Sequence, residues 1–506
     1  MMAKGKKTKA DWMDNLIGLF SPKTKMKRLQ YKFAADVIRR KYEGASIGRR
    51  TSGWRTASTS ANSEISMAMT KLRDRARDLV RNNPWASRGL QVIESNVVGK
   101  GIQTQIRIKS GRNTARREED LNRKWKAWAG TVACDYDGMH TLAGLQRLAM
   151  RSTVEGGECI VRLRKTSRKT VLGPDGEMIE VPPIALQLLE GDFLDQNKLS
   201  SEASGSNRII QGVEINPNGQ REAYHLFTDH PGSLSINLVT SSKTVRIPAD
   251  EISHIYRSDR PGQIRGISWL APIIIRLRDL DEFEDAELVR QKISSMFTAF
   301  IHDLEGIDDG LTEQEIENQL GEKMEPGLIE ILPPGKDVKL AVPPSKEGYA
   351  SYVNAFLHSV ASGLGITYES LTGDLSQTNF SSARLGKLEM NRNIDAWQHI
   401  LMLNRFMSPT FNWFLQGCEL IGQKTNGARA LFTPPRRELI DPTKEIPALK
   451  DAVRSGFMTL SDIVRQGGHD PESHFDEMSQ DNKMIDKLGL VLDSDPRKDQ
   501  SNAAGQ

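Results

Sequence analysis

Six of the nine residues 279–287 are acids: Asp279, Asp281, Glu282, Glu284, Asp285 and Glu287. They follow the almost wholly apolar stretch Ile273-Ile274-Ile275-Arg276-Leu277. The periodicity predicts one long helix through both, starting near Ser268 and Trp269, with Pro272 in its first turn, and ending at about Ser295. At 3.6 residues per turn, six acids in nine positions cannot share one stripe. The helix therefore cannot be buried all round. Its acidic part must be wet or packed beside basic neighbours.

The segments that follow predict a compact insert. Phe297–Ile301 suits a strand, Thr312–Leu320 a short helix with Thr312 as cap, and Gly327–Leu332 a second strand stopped at Pro333–Pro334. Helical pattern returns over 351–360. A longer helix runs from Ser381 or Ser382, either of which is the expected cap, to Phe414; Pro409 should kink or divide it. Between them lies the polar, turn-rich stretch Tyr368–Arg384, in which Gly373 permits a turn and Asp374 or Ser376 can hold it.

Upstream, the pattern mixes helix and strand. Helices are predicted over 26–43, from Ile65 to Val80, and from Pro84 to Val97. Asn82 or Asn83 should cap the helix at Pro84, and Gly99 and Gly101 should end it. Further helices at 116–130 and 141–153 precede strands at 158–164, 181–190, 221–228, 243–247 and 251–257, which makes an α+β region. Residues 44–65 and the Ser-rich 196–208 read as loops. Near the C-terminus, Asp441 or Thr443 should cap a helix to Ser455, Thr459 or Ser461 one to Gly467, and a last helix runs from Asp470 to about Leu488.

A chain of 506 residues has room for two to four structural regions. Its net charge of +4 excludes a globally basic nucleic-acid coat, but the charge is uneven. Residues 1–50 carry fourteen Lys and Arg against four acids, a surplus of ten, so the other 456 residues carry a net −6. Such an arm suits nucleic acid, an acidic partner surface or simple solubility. Cys134, Cys159 and Cys418 are few and widely spaced, which points to a reducing compartment and to roles as small buried hydrophobes. No run approaches the roughly 18 apolar residues of a membrane span.

Catalytic chemistry finds little support. Gly44–Arg50 lacks the Gly-Lys-Ser/Thr ending of a phosphate-binding loop, and the glycine pairs at 262 and 266 and at 363 and 365 make no dinucleotide fingerprint. His225 and His230 read as packing or surface histidines, and Asp192 with Asp195 lacks the further acids of a Mg²⁺ nuclease. Trp125, Trp128, Trp269 and Trp413 should pack in cores or between subunits. The residues thus point to no catalytic, cofactor-binding or metal-binding set.

Six segments, in order, resemble the lambda-type tailed-phage portal protein family. They are Tyr42-Glu43-Gly44-Ala45; Arg77–Ala86 followed by Val97–Ile102; Glu155-Gly156-Gly157-Glu158; Arg260-Pro261-Gly262-Gln263 with Arg265–Pro272; the long motif Tyr368–Arg384; and Ile440–Glu445 with Gly456 and Thr459. Phe380 stands where the family commonly has Tyr, which keeps the ring and removes the hydroxyl.

The resemblance implies an α+β, multi-region portal fold assembled as a ring of twelve, with wing, stem, clip and crown. In this chain the divisions fall as a flexible basic arm (1–25), the N-terminal α+β part of the wing (26–262), a first stem helix (263–295), the clip (296–343), a second stem helix (344–365), a tunnel-loop region (366–382), a long helix returning to the wing (383–435), a helical crown (436–492) and a flexible tail (493–506). It implies a channel at one capsid vertex for packaging, retaining and ejecting double-stranded DNA. Implied partners are the terminase large subunit, the major capsid protein and a head–tail completion protein. Assembly in the host cytoplasm and no membrane partner are implied too. Within that frame Asp279, Glu282, Asp285 and Glu287 are channel candidates, Gln377 and Asn379 are DNA-proximal candidates, and Leu328, Ile329 and Ile331 are candidates for clip assembly. The competing classes are a connector or scaffold without DNA gating, and a DNA-packaging enzyme.

Overall fold

Apolar periodicity and caps set the first elements of the computed structural model. It describes residues 61–295 apart from 110–112, 174–175, 200–206 and 234–242; residues 299–303 and 336–340; residues 348–490 apart from 436–440; and short pieces within 21–60. The chain divides into two units, 1–60 and 61–506. In the first, the described pieces include helical turns at 22–24, 26–27 and 30–31. Most of the expected helix 26–43, the arm and tail, and the expected elements at 312–320 and 327–332 with Leu328, Ile329 and Ile331 lie outside the described residues.

The second unit opens with α1 (Ala61–Asn82) and α2 (Pro84–Val97). The Asn83 side chain accepts the Ala86 N–H at 2.9 Å, and Pro84 occupies the first turn, where its missing N–H costs nothing. β1 (Gln103–Ile108), which periodicity had not marked, is followed by α3 (Thr114–Ala129) and α4 (Leu142–Gly156). β2 (Glu158–Lys165) is the middle strand of a sheet. Its alternate residues serve two cores: Cys159, Val161 and Leu163 enter the main one and Ile160 the other.

The expected strand 181–190 is two strands. β3 (Lys169–Leu172) pairs with β4 (Met178–Val181), whereas β5 (Ile184–Glu190) pairs with β2. Pro182 and Pro183 lie between them and cannot donate to a ladder. β6 (Arg208–Ile210), β7 (Val213–Ile215), β8 (Arg221–Phe227) and β9 (Thr244–Pro248) form an antiparallel four-stranded sheet over the second core. β10 (Ile252–Tyr256) completes the three-stranded sheet on the other side of β2. The three-residue strands β6 and β7 were too short for alternation to reveal them.

The acidic helix α5 (Ile274–Ser295) starts later than expected. Residues 269–273 make turns instead, because the Trp269 N–H goes to the Val154 carbonyl at 3.0 Å and Pro272 has none to give. β11 (Ala299–Asp303) pairs antiparallel with β12 (Lys336–Leu340), close to the expected first strand but with a partner from a stretch the sequence left unassigned. α6 (Tyr349–Leu364) and the short α7 (Tyr368–Thr372) follow.

Residues 380–420 form one unbroken helical run. α8 (Phe380–Trp397) leads into a π-helix, Gln398–Met407, and then α9 (Ser408–Leu420). Pro409 divides the run by hydrogen-bond register, with no break in the helix. β13 (Ala428–Thr433) pairs with β1, joining segments more than 300 residues apart. α10 (Pro442–Arg454), α11 (Leu460–Gln466) and α12 (Pro471–Leu488) close the chain, with Thr459 and Asp462 making a reciprocal capping box.

The main core is aromatic at its centre. Trp125 packs on Trp128, Phe411 and Phe414 with ring centroids 4.9–5.9 Å apart. All four singled-out tryptophans are buried, as are the three unpaired cysteines. Burial pushes each of the Cys134, Cys159 and Cys418 thiols up to about 12, as expected of inert packing residues.

Candidate functional site

α5 and α6 form an antiparallel hairpin. Successive contacts fix this direction: Ile273 lies under Gly363, Arg276 stacks over Phe356, and Phe283 packs on Tyr352 and Tyr349. At its base, Ile273, Ile274, Leu277 and Leu280 meet the core with Leu357, Val360, Ala361 and Leu364. The helix of 22 residues is about 33 Å long, so most of it extends past this buried base.

The hairpin sorts the six acids. Asp281 accepts from the Asn83 side chain at 2.7 Å. Burial raises Asp281, opposed by that bond, and Asp285 raises it further. Burial also raises Glu284, helped by Asp281 and Asp285. Among the channel candidates, Asp279, Glu282 and Asp285 are exposed. Arg278 donates to Glu282 at 3.0 Å along the helix. Glu287 is different: it is bound by Arg290 at 2.5 and 2.8 Å, and this bond lowers it. Ile275, Leu288 and Val289 are exposed on the same helix.

The turn-rich stretch is shorter than expected, because Tyr368–Thr372 is helical and only 373–379 is loop. Gly373, at φ 74°, ends α7. The Asp374 carboxylate accepts the Ser376 N–H at 2.9 Å, which holds it below its ordinary range. Tyr368 donates to Asn354 at 3.1 Å and stacks on His358, tying the loop's base to α6. Asn379, not Ser381 or Ser382, caps α8. Its side-chain oxygen accepts the Ser382 N–H at 2.8 Å and Ser382 returns a bond from the Asn379 N–H. The cap lies one residue before Phe380 because both extended backbone and a short acceptor are needed there. Gln377 is exposed, as are Leu375 and Phe380.

A buried charge cluster was invisible to periodicity. Glu158 is fully buried and accepts from Arg265 at 2.5 and 3.0 Å, Arg73 at 2.9 Å, the Gly266 N–H at 3.0 Å, and His254 at 3.0 Å. Burial alone raises Glu158, but the Arg265 charge and the His254 contact hold it well below the carboxylate range. Burial lowers His254 to about 4 against the opposing pull of Glu158. Gly157, at φ 91°, and Gly266 allow the strand and the loop to touch: a Cβ on Gly266 would lie 2.0 Å from the Gly157 oxygen. Two of the six family-like segments, at 155–158 and at 260–272, thus meet as one ionic joint. Their shared glycine-next-to-charge wording was the available signal.

His225 hydrogen-bonds Glu214 at 3.3 Å inside the second sheet. Glu190, Asp192 and His230 form the one three-ligand group found among the described residues. Arg77 donates to Glu190 at 2.5 Å and to Asp192 at 2.6 Å, and Arg73 lies 3.2 Å from Asp192. Two guanidinium charges therefore occupy the place where a cation would be needed. Asp195 accepts the Asn197 N–H in its own turn and does not join Asp192.

The model of the family described as "Phage portal protein, lambda family" matches residues 47–398. The chain is 27% identical over 440 residues to the probable portal protein of Halomonas phage phiHAP-1, covering 83% of this chain and 81% of that one. It is 22% identical over 396 residues to portal protein B of Escherichia phage lambda, covering 72% and 71%. A chain in the virion of a native gene transfer agent particle aligns with a TM-score of 0.46 and 14% identity, over 80% of this chain and 94% of that one. The family match and the two portal relatives define a class of structural, head–tail connector components of bacteriophage virions. The chain belongs to the lambda family of phage portal proteins.

Proposed function

We propose that this portal protein closes into a ring of twelve at one capsid vertex and conducts double-stranded DNA through its axis. The α5–α6 hairpin carries this reading. Its base is anchored in the core, while Asp279, Glu282, Asp285, Leu288 and Val289 are exposed in the single chain. In a ring, Ile275, Leu288 and Val289 supply contact area between copies, and cyclic closure covers such surfaces without fibre growth. Asp279, Glu282 and Asp285 face the channel in this reading, where carboxylates repel phosphate and keep DNA from sticking. Glu287, neutralised by Arg290, is the weakest of the four for that task.

In the same reading, α5 and α6 are the stem, the segment 296–343 with the β11–β12 pair is the clip that meets the terminase large subunit, and α10–α12 belong to the crown. Loop 373–379 approaches the DNA, with Gln377 as the contact and Asn379 as the anchor that presents it. The major capsid protein and a head–tail completion protein are the remaining partners, met as the ring assembles in the host cytoplasm and takes its place in the capsid. Leu328, Ile329 and Ile331 are retained as clip contacts on sequence grounds.

Class averages of the assembled protein viewed down its symmetry axis test the proposal. Twelve copies around a channel lined by at least one of the exposed acids is the expected image. Carboxylates that all face away from the channel would remove the repulsion argument.

A further inference from the structure

The sheet β1–β13 has two outer edges, and the chain treats them differently. On the β1 side, the Asn122 side chain of α3 accepts the Ile106 N–H at 2.8 Å and donates to the Ile106 carbonyl at 3.0 Å. Glu118, on the same helix, accepts the Ile108 N–H at 2.5 Å. Side chains thus stand where a third strand would bond. On the β13 side no further strand lies among the described residues. We propose that the open edge of β13 is an interaction surface that receives an extended segment of a second copy of this chain.

The register shows what the edge offers. Ile106 and Ile108 direct their N–H groups to α3, away from β13. Their partners Ala430 and Ala428 therefore stand in the pairs without ladder bonds, and Arg429 and Leu431 in the bonded ones. Alternation turns the N–H groups of Ala430 and Phe432 towards the open edge, with the carbonyls of Ala428, Ala430 and Phe432. The Ala428 N–H is taken by the Thr425 carbonyl at 3.0 Å. β13 holds no proline, and its pairing with β1 runs without a bulge. A two-stranded sheet is marginal by itself, and an unshielded edge is a template for a further strand.

Side chains specify what fits. Ala428, Ala430 and Phe432 pack towards the main core, whereas Arg429 and Leu431 are exposed. Arg429 lies directly opposite Arg107, a like-charge pair that destabilises a sheet. Arg107 has Glu118 at 3.4 Å and Glu472 of α12 at 3.1 Å. Arg429 has no acidic partner among the described residues. A segment that fits places a carboxylate beside Arg429 and an apolar side chain beside Leu431, two residues apart on one face.

The occupant is a second copy because an edge this open needs a cover from assembly onwards, and the next copy is the partner that the proposed ring supplies to every subunit. The chain beyond residue 50 carries a net −6, so acids are available to meet Arg429. β13 contains no acid, so pairing with another β13 would leave Arg429 unmet and would close as a two-fold dimer. An edge that meets a different segment of the next copy is a heterologous contact, which closes as a ring.

The inference rests on the ring reading, and residue-level hydrogen exchange on the full-length chain, unassembled and assembled, separates the two. In the unassembled chain the Arg429 and Leu431 amides, bonded to β1, should be slow and those of Ala430 and Phe432 fast. Assembly should slow Ala430 and Phe432 by roughly tenfold or more. Ala430→Pro removes an outward N–H and no bond to β1, so the chain should fold and the oligomer yield should fall by roughly tenfold. Arg429→Glu should partly restore fast exchange at both amides in the oligomer. Fast exchange at both in a parental oligomer overturns the inference and leaves the ring reading standing. Slow exchange already present in the unassembled chain, or gained only in the complete particle, overturns it as well, because the chain itself or another virion protein then covers the edge. So does a parental yield from folded Ala430→Pro; if that variant does not fold, unchanged exchange in Arg429→Glu decides in its place. Both amides slowed in an oligomer that is not a closed ring keep the strand contact and refute the ring.

Discussion

Replacing Glu158 by alanine should be among the most damaging single changes in the chain. The carboxylate has no exposed surface, and five donors point at it from four residues: Arg73 on α1, His254 on β10, and Arg265 and Gly266 in the loop before α5, with Arg265 giving two. Arg265 is itself wholly buried and Arg73 nearly so. The substitution leaves two guanidinium groups without their counter-charge, a situation that costs about 3–5 kcal/mol. Part of the Arg265 side chain keeps its bonds to the Gln211 carbonyl at 3.0 Å and the Gly191 carbonyl at 2.9 Å, which places the expectation at about 3 kcal/mol. Glu158→Gln keeps the shape and one acceptor oxygen, and should cost about 1.5–3 kcal/mol. Urea unfolding of the purified protein, followed by tryptophan fluorescence, measures both. The reasoning fails if Glu158→Ala costs under about 1 kcal/mol, or if Glu158→Gln is the worse of the two.

Acid should weaken the same joint. Glu158 is held below its ordinary 4.5, so its contribution is present above that pH and is lost as pH falls through the folded value. His254 drops from 6.5 to about 4, so between those values the unfolded chain binds a proton the folded chain does not, and stability falls with pH across that window. His254→Gln should flatten the loss between pH 6.5 and 4 in a denaturation series, and an unaltered slope there would count against the assignment. Gly266→Ala should abolish soluble expression, because its Cβ meets the Gly157 carbonyl oxygen at 2.0 Å with no side chain to move aside. Asn379→Ala should cost about 1 kcal/mol through the lost cap, whereas Gln377→Ala should leave stability unchanged and lower DNA retention; full retention by the Gln377 variant removes it from the DNA path. Ile329→Asp is expected to impair ring assembly or terminase docking, measured by native mass and packaging yield.

Much of the local structure was legible in the chain itself. Asn83 before Pro84, Thr459 three residues before Asp462, and Gly373 at a helix end act through neighbours in sequence, so residue type alone decides them. The buried tryptophans and cysteines follow equally from their chemistry. The family resemblance was carried by wording whose physical meaning appeared only in three dimensions. Glu158 and Arg265 are 107 residues apart, and no periodicity links them; their pairing exists because two glycines let β2 and the loop before α5 touch. The six acids form one run in sequence, yet which are shielded depends on where Asn83 and Tyr349 lie beside α5. Pro409 announced a disturbance, but residue type alone did not show that the disturbance would be a change of register with no break in the helix. Local pattern determines elements because their hydrogen bonds close over a few residues; the packing around Glu158 is set by partners that only the folded chain brings together.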